Sequence, residues 1–175
     1  MRVHIFSDLH ITGPEDPMYT ALLNTLDSIK DAKERVVLAG DIFDVLIGGG
    51  NFYKEKYPAF LGVIRNLESN GVQTHYIEGN HDFNLESYFQ GLSVQVEQDA
   101  VALSHGSKRI WIEHGDAIDT KDVAYNLWRT FTRSAIAHEL SSRVPGLVWQ
   151  QVGEMWSRNP VKKEGITRIS KQNAG

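Results

Sequence analysis

Side chains that can ligate a metal ion occur in four short clusters along the chain. Each cluster follows a segment predicted to be a buried strand. The four clusters are Asp8 with His10; Asp41 with Asp44; Asn80, His81 and Asp82; and His114 with Asp116. A single aspartate after a strand is most often a turn former or a helix cap. Four such clusters at four successive strand ends instead predict a shared metal site.

The donor types restrict both the metal and the chemistry. The sequence contains no cysteine, which excludes disulfides, thiolate nucleophiles and cysteine-ligated zinc or iron–sulfur sites. Carboxylate, imidazole and amide oxygen ligands suit Mn²⁺, Fe²⁺ or Zn²⁺. Because one aspartate can bridge two cations, the set allows a pair of ions that activates water and neutralises charge on a phosphoryl oxygen. The predicted chemistry is hydrolysis of a phosphoester or pyrophosphate bond.

The predicted secondary structure brings these clusters to one place. Buried strands are predicted at Val3–Ser7, Arg35–Ala39, Val72–Glu78 and Arg109–Glu113. Helices with apolar residues at helical spacing are predicted at Pro17–Lys30 and Tyr57–Ser69. This alternation predicts an α/β fold with a parallel sheet and helical crossovers, in which ligands bind at the carboxyl ends of the strands.

A different pattern begins after residue 90. Ser93–Glu97, Ala100–Ser104 and Lys108–Glu113 are predicted to be consecutive strands, the last two joined by a tight turn, so that an antiparallel portion follows the parallel one. Residues 122–157 are predicted to be helical and rich in apolar side chains, with a break near Pro145. The remaining residues, 158–175, form a basic tail without clear periodicity.

Composition and charge exclude several classes of protein. A chain of 175 residues, 41% apolar and 23% charged, is typical of one globular domain with a real core. No apolar run is long enough to span a bilayer, and Asp8 and His10 interrupt the apolar N-terminus, so no secretory signal is predicted. We therefore expect a soluble, cytoplasmic chain.

The charge is distributed unevenly. Residues 1–121 carry 10 Lys+Arg against 18 Asp+Glu, a net −8, whereas residues 122–175 carry 8 against 4, a net +4. Two differently solvated faces would explain this, and so would an acidic cation-binding body joined to a basic segment that meets an anionic partner. The acidic body carries no basic groove with interleaved aromatic residues, so no nucleic-acid partner is predicted.

The ordered motifs resemble those of the calcineurin-like metallophosphoesterases. The resemblance spans residues 3–116 and rests on Asp8-Leu9-His10, Gly40-Asp41-Ile42-Phe43-Asp44, Gly79-Asn80-His81-Asp82 and His114-Gly115-Asp116. It implies a two-sheet α/β sandwich flanked by helices. It also implies two divalent metal ions, for which we expect Mn²⁺, with Fe²⁺ or Zn²⁺ as alternatives.

The resemblance implies a role for each of these residues. One ion would be bound by Asp8, His10 and Asp41, and Asp41 would bridge to a second ion held by Asn80 and His114.

Two further residues would be catalytic on the same resemblance. His81 would lie beside the phosphate, where it would stabilise the transition state or protonate the leaving oxygen. Asp82 would orient His81. The remaining histidines are predicted to be structural or surface residues: His4, His75, His105 and His138.

Within this superfamily, the segment after His114 resembles the UDP-2,3-diacylglucosamine hydrolases of lipid A biosynthesis. The similar features are Thr120-Lys121-Asp122 and Tyr125, a helical insertion placed directly after them, and Ser157-Arg158-Asn159 followed by Lys162-Lys163. Those enzymes are peripheral membrane proteins that cleave a pyrophosphate, releasing UMP and 2,3-diacylglucosamine 1-phosphate. Their helical cap encloses the acyl chains.

This second resemblance implies three parts of the chain: a core at 1–121, a helical cap at 122–157 and a basic tail at 158–175 that leads back toward the core. The candidate substrate contacts are Asn80, Asp122, Tyr125, Arg158, Lys162 and Lys163. The expected substrate is a nucleotide-linked glycolipid. An apolar cap with basic residues favours peripheral binding to the anionic inner membrane, although a helical hairpin that simply packs on the sheet would show the same pattern.

Two features depart from the family pattern. The later Gly-His-x-His motif, which supplies one further ligand to each metal, is absent, and His138 is the last histidine. We expect the chain to be truncated before that motif, to lack the closing strands and to bind metal more weakly; water ligands or a degenerate site are the alternatives. His81 stands where the lipid A enzymes are expected to carry arginine.

Three functions therefore stay open at this point. The first is hydrolysis of UDP-2,3-diacylglucosamine, and the second is another phosphoesterase activity on nucleotides or cyclic nucleotides. The third is a non-catalytic binding module on the same fold, against which the joint presence of Asn80, His81 and His114 argues.

Overall fold

The computed structural model describes residues 2–105 and 107–115, together with positions 130, 134, 139, 143–145, 147, 148 and 151. The elements in these residues are, in chain order, β1 (Val3–Phe6), α1 (Pro17–Asp27), β2 (Arg35–Ala39), β3 (Leu46–Ile47), α2 (Phe52–Lys56), α3 (Pro58–Ser69), β4 (Gln73–Ile77), β5 (Asp82–Phe83), α4 (Leu85–Tyr88), β6 (Val94–Glu97), β7 (Ala100–His105) and β8 (Lys108–Glu113).

A parallel sheet of four strands, in the order β1-β2-β4-β6, forms the centre of the described structure. Its register places Val3 beside Arg35 and Arg35 beside Gln73. Residues 36–39 of β2 are almost entirely buried, as expected for a strand covered on both faces. A small parallel pair, β3 with β5, lies beyond the ends of β2 and β4.

Helices α1 and α3 cover one face of this sheet. Both begin at a proline, and the Asp16 side chain caps α1 by accepting a hydrogen bond from the Met18 amide at 2.9 Å. Apolar residues at helical spacing point to the sheet and are buried: Leu22, Leu26, Phe60, Ile64 and Leu67. Phe43, from the loop after β2, joins them, with its ring centroid 4.5 Å from that of Tyr57 and 5.1 Å from that of Phe60.

The antiparallel hairpin β7–β8 covers part of the opposite face. A small apolar cluster lies between the two layers: Val37, Ala39, Ile77, Val101, Leu103 and Ile112. The outer side of the hairpin faces solvent, where Trp111 is 65% exposed. Helices, parallel sheet and second sheet together confirm the predicted α/β architecture.

Two sequence-based expectations about strands were wrong. β6 pairs in parallel with β4, so the antiparallel portion begins only at β7. The connection between β4 and β6 contains the short helix α4, which gives no recognisable periodicity. β8 was predicted to be buried, but Ile112 is its one buried residue, because the hairpin contacts the sheet with a single face.

Residues 116–129 and 152–175 lie outside the described residues, together with most positions between them. The predicted cap at 122–157, the basic tail at 158–175 and the boundary at residue 121 therefore stay predictions. Within the described ranges, no helix has the length and apolar character needed to cross a bilayer.

Candidate metal centre

The structure brings the predicted clusters to the carboxyl edge of the sheet. Asp8 and His10 follow β1, Asp41 follows β2, and His114 follows β8. Backbone hydrogen bonds join the first two loops, from the Asp8 amide to the Gly40 carbonyl at 3.1 Å and from the His10 amide to the Asp41 carbonyl at 3.0 Å. The convergence expected from parallel strand ends is present.

Asp41 lies at the centre of this edge. Its carboxylate belongs to two groups of donor atoms, each with members within 4.8 Å of one another: Asp8, Asp41 and His114; and His10, Asp41 and His81. Asp41 Oδ2 lies 3.5 Å from Nε2 of His114 and 3.9 Å from Nε2 of His10. One carboxylate shared by two groups of three donors suits a bridge between two cations.

The composition of the two groups differs from the set that the family resemblance implied. Asp8 groups with His114, whereas His10 groups with His81, and the ring centroids of His10 and His81 are 5.1 Å apart. Asn80, the remaining expected ligand, is buried in the loop after β4. Its role as a ligand or a substrate contact stays a prediction.

Three of the candidate ligands have a left-handed backbone. The φ angles are 54° at Asp8, 47° at His10 and 51° at Asp41. Side-chain-bearing residues rarely adopt this conformation, and it costs free energy that the surrounding structure must offset. The backbone hydrogen bonds between the loops after β1 and β2 hold it here.

Two glycines allow the loops to approach closely. A Cβ atom on Gly40 would lie 2.6 Å from the ring of His114, and one on Gly79 would lie 2.3 Å from Asp41 Oδ1. Gly40 also has a φ of 79°. Neither position has room for a larger residue without moving a candidate ligand.

Backbone carbonyls orient two of the histidine rings. His114 Nδ1 lies 2.9 Å from the Ala39 carbonyl oxygen, and His81 Nδ1 lies 2.8 Å from the Asp44 carbonyl oxygen. Because a carbonyl can only accept, Nδ1 carries the proton in both rings, so in the neutral ring Nε2 is the nitrogen whose lone pair can ligate a metal ion.

Asp82 does not have the predicted contact with His81. Its fully buried carboxylate accepts hydrogen bonds from the backbone amides of Asp41 at 3.0 Å, Ile42 at 2.9 Å and Gly79 at 2.8 Å. The Tyr76 hydroxyl donates a fourth, at 2.6 Å.

Asp44 has the contact with His81 instead. Besides its carbonyl, Asp44 places carboxylate Oδ1 3.8 Å from His81 Nδ1. These contacts favour Asp44 for the orienting role predicted for Asp82, which stays a prediction. From the sequence, Asp44 was assigned only to a metal-competent cluster, with no contact to His81, and Tyr76 was assigned no role. The available signal for Asp44 was the Asp41-x-x-Asp44 spacing, and no pattern in the largely polar strand β4 marked Tyr76.

Electrostatics at this edge favour positive charge. Burial alone would raise the pKa of Asp41, but the hydrogen bond from His114 and the charges of neighbouring histidines outweigh it, so this pKa lies below its usual value. For His114, burial alone would lower the pKa, but the hydrogen bond with Asp41 and the Asp41 charge raise it to about 9. An ionised, buried carboxylate surrounded by imidazoles suits Mn²⁺, Fe²⁺ or Zn²⁺.

The pKa of Asp82 is shifted in the opposite direction to that of Asp41. Burial, and then the nearby Asp41 charge, raise its pKa to about 7, against the hydrogen bonds that Tyr76, Asp41 and Ile42 donate. Burial and the same carboxylate raise the pKa of Tyr76 well above its ordinary value, so its hydroxyl remains a donor.

The other predicted site residues lie outside the described part of the chain. They are Asp116 of the fourth cluster and the candidate substrate contacts Asp122, Tyr125, Arg158, Lys162 and Lys163. Their roles stay predictions.

Comparison with known proteins gives one family and a group of relatives. A family model described as calcineurin-like phosphoesterase matches residues 1–166. The UDP-2,3-diacylglucosamine hydrolase of Chromobacterium violaceum is 26% identical over 137 residues, covering 77% of this chain and 56% of that protein. The enzyme of the same name from Haemophilus influenzae is 26% identical over 127 residues, covering 72% and 53%.

The chain thus spans little more than half the length of these two curated relatives. Among solved structures, a protein of unknown function from Aquifex aeolicus matches with a TM-score of 0.46 and 18% identity, covering 78% of this chain and 73% of that one.

Proposed function

The chain belongs to the calcineurin-like phosphoesterase family, and we propose that it hydrolyses a phosphoester or pyrophosphate bond with two divalent cations. The observation that carries this proposal is the position of Asp41. One buried carboxylate is shared by two groups of metal-competent donors. Three of these donors, Asp8, His10 and Asp41, have a left-handed backbone, a costly conformation that is typical of functional sites.

Five residues would hold the cations: Asp8, His10, Asp41, Asn80 and His114. When bound, the cations would activate a water molecule and neutralise charge on a phosphoryl oxygen. Mn²⁺ is the ion we propose, because carboxylate and imidazole donors without thiolate suit it, with Fe²⁺ and Zn²⁺ as alternatives.

His81 would act on the substrate directly. Its Nδ1 donates to the Asp44 carbonyl, so Nε2 is the nitrogen that would reach the substrate. A protonated Nε2 would donate to a phosphoryl oxygen or to the leaving oxygen, and Asp44 would stabilise the charged ring at 3.8 Å.

For the substrate we propose UDP-2,3-diacylglucosamine, cleaved to UMP and 2,3-diacylglucosamine 1-phosphate. Two relatives that carry this activity in their names support the choice, at 26% identity. The net +4 of residues 122–175 also supports it, since this segment would meet an anionic glycolipid and the inner-membrane surface. The contacts would come from Asn80, Asp122, Tyr125, Arg158, Lys162 and Lys163.

The first test is Mn²⁺ binding to the full chain and to Asp41→Asn, measured by titration calorimetry. Asparagine tolerates the left-handed backbone and keeps one acceptor oxygen, so the variant removes the charge with little change of shape. We expect the affinity for Mn²⁺ to fall at least 100-fold. Asp31→Asn, an exposed charge removed elsewhere, is the matched control, and undiminished binding in Asp41→Asn would refute the bridging role.

A second test separates the substrates. The Mn²⁺-loaded chain is assayed against UDP-2,3-diacylglucosamine in detergent micelles, a cyclic nucleotide and a generic aryl phosphodiester. Release of UMP supports the glycolipid. Turnover of the cyclic nucleotide alone favours the second candidate, which the histidine at position 81 also favours. Mn²⁺ binding without any turnover would indicate a binding module.

A further inference from the structure

We propose that Asp82 and Tyr76 form a buried clasp that positions the metal ligands on two separate loops. The clasp consists of the Asp82 carboxylate and its four hydrogen-bond donors. It joins the loop after β2, Gly40–Ile42, to the loop after β4, Gly79–Asp82. The inference rests on the proposed function, because it assigns these residues to the assembly of the same metal centre.

Each oxygen of the Asp82 carboxylate accepts one hydrogen bond from the loop after β2 and one from β4 or the loop after it. Oδ1 accepts from the amide of Asp41, on the first loop, and from that of Gly79, on the second. Oδ2 accepts from the Ile42 amide and from the Tyr76 hydroxyl on strand β4. A carboxylate that is 0% exposed and accepts four hydrogen bonds has one orientation available to it.

The two aspartates hold each other's loops reciprocally. While Asp82 accepts from the amide of Asp41, Asp41 Oδ1 accepts from the amide of His81 at 3.2 Å. A hydrogen bond to the Asp41 amide fixes the residue in its left-handed conformation, and so fixes the direction of its carboxylate toward His10 and His114. The clasp thereby sets the position of the shared ligand.

Tyr76 contributes the one donor of the clasp that is a side chain. It is completely buried, with its ring centroid 5.6 Å from that of Phe89 in the helix-side core. Removing its hydroxyl would leave Oδ2 with the Ile42 amide alone, so the carboxylate would be held less firmly in its orientation. Tyr76 acts on the metal centre through Asp82 and is therefore a positioning residue.

The test is Tyr76→Phe, which removes only the hydroxyl. Backbone amide exchange, followed by NMR, should accelerate at Asp41, Ile42 and Gly79 and remain unchanged along β1. The dissociation constant for Mn²⁺, measured well below the unfolding temperature, should rise about tenfold. Asp82→Asn, which sets an amide group against N–H donors, should raise it further.

Tyr88→Phe is the matched control. The Tyr88 hydroxyl is equally buried but has no hydrogen-bond partner within the described ranges, so its removal should alter neither amide exchange nor Mn²⁺ affinity. If the same loss of affinity appeared in Tyr88→Phe, the effect would belong to the core in general and the clasp would be refuted.

The remaining outcomes separate this inference from the proposed function. Unchanged amide exchange in Tyr76→Phe overturns the clasp, and faster exchange with wild-type Mn²⁺ affinity overturns its positioning role. In both cases the proposed function stands as long as Asp41→Asn still lowers the affinity for Mn²⁺ at least 100-fold. A wild-type chain that binds no Mn²⁺ overturns the proposed function, and with it the assignment of the clasp to a metal centre.

Discussion

Asp41 and Phe43 lie two positions apart in the same loop, yet they belong to regions that are held together differently. At the carboxyl edge, Asp41 has a left-handed backbone and polar neighbours on three loops. Beneath the edge, Phe43 is fully buried among the rings of Tyr19, Tyr57 and Phe60.

This difference indicates that one region determines the stability of the fold and the other determines metal binding. Apolar burial on the helix side supplies most of the favourable free energy of folding. The carboxyl edge instead uses hydrogen bonds to hold conformations that the backbone alone disfavours. We therefore expect substitutions beneath the edge to change the free energy of unfolding, and substitutions at the edge to change metal affinity.

The largest effect is expected in the helix-side core. Phe60 is completely buried against Phe43 and Phe89, so Phe60→Ala should lower the free energy of unfolding by about 3–5 kcal/mol. Urea denaturation measures this. At a temperature where both proteins remain folded, Mn²⁺ affinity should be unchanged. A folded Phe60→Ala variant that has lost Mn²⁺ binding would show that the core also determines metal affinity.

Gly79→Ala tests whether a change at the carboxyl edge alters metal affinity. The new Cβ would lie 2.3 Å from Asp41 Oδ1 and 2.7 Å from Asp82 Oδ1, so the shared carboxylate must move. Calorimetry should show Mn²⁺ binding weakened about 100-fold. Gly13→Ala, also in a loop at this edge but with open space around the position, is the control and should bind Mn²⁺ normally.

His75 places a titratable group in the core rather than at the edge. Burial, and then the charge of Arg35, lower its pKa, so the unfolded chain takes up a proton at a higher pH than the folded one. Its contribution to stability is present above the unfolded pKa of about 6.5 and is lost as pH falls below it.

Urea denaturation between pH 5 and pH 8 should therefore show a shallower acid limb in His75→Leu. The slope should change by at most about 1.4 kcal/mol per pH unit, the limit for one proton. Identical acid limbs in the two proteins would show that His75 is not titrating during unfolding.

The smallest effect is expected at Gly62, a glycine that, unlike Gly79, has open space around it. Gly62 lies inside α3, and a Cβ there meets no atom within 4 Å. Gly62→Ala should raise the free energy of unfolding by about 0.5–1 kcal/mol, because alanine loses less conformational freedom in a helix. A destabilised variant would show that the helix side has less room than the structure indicates.

The sequence predicted the parts of this molecule that side-chain patterns encode. Strands β1, β2 and β4, helices α1 and α3, and the convergence of Asp8, Asp41 and His114 follow from apolar periodicity and from polar residues at strand ends. The rule that parallel strands end at the same edge accounts for Asp8 and Asp41, whereas His114 reaches this edge from the antiparallel hairpin.

The parts that were missed depend on backbone geometry. Three of the four donors to Asp82 are backbone amides, which every sequence carries, so no side-chain pattern marks them. The same holds for the carbonyl of Asp44 that orients His81. The parallel pairing of β6 was missed because α4 spans four residues, too few for helical periodicity.

The hydrogen bond between His114 and the Ala39 carbonyl joins positions 75 residues apart in the sequence. Closing so long a loop is entropically costly. Because His114 directly follows β8, the centre is complete only in a chain whose β7–β8 hairpin is docked. Partly folded chains would lack the high-affinity site, so a bound cation would stabilise only fully folded molecules. The amount of cation bound at saturation would then measure the fraction of folded protein in a preparation.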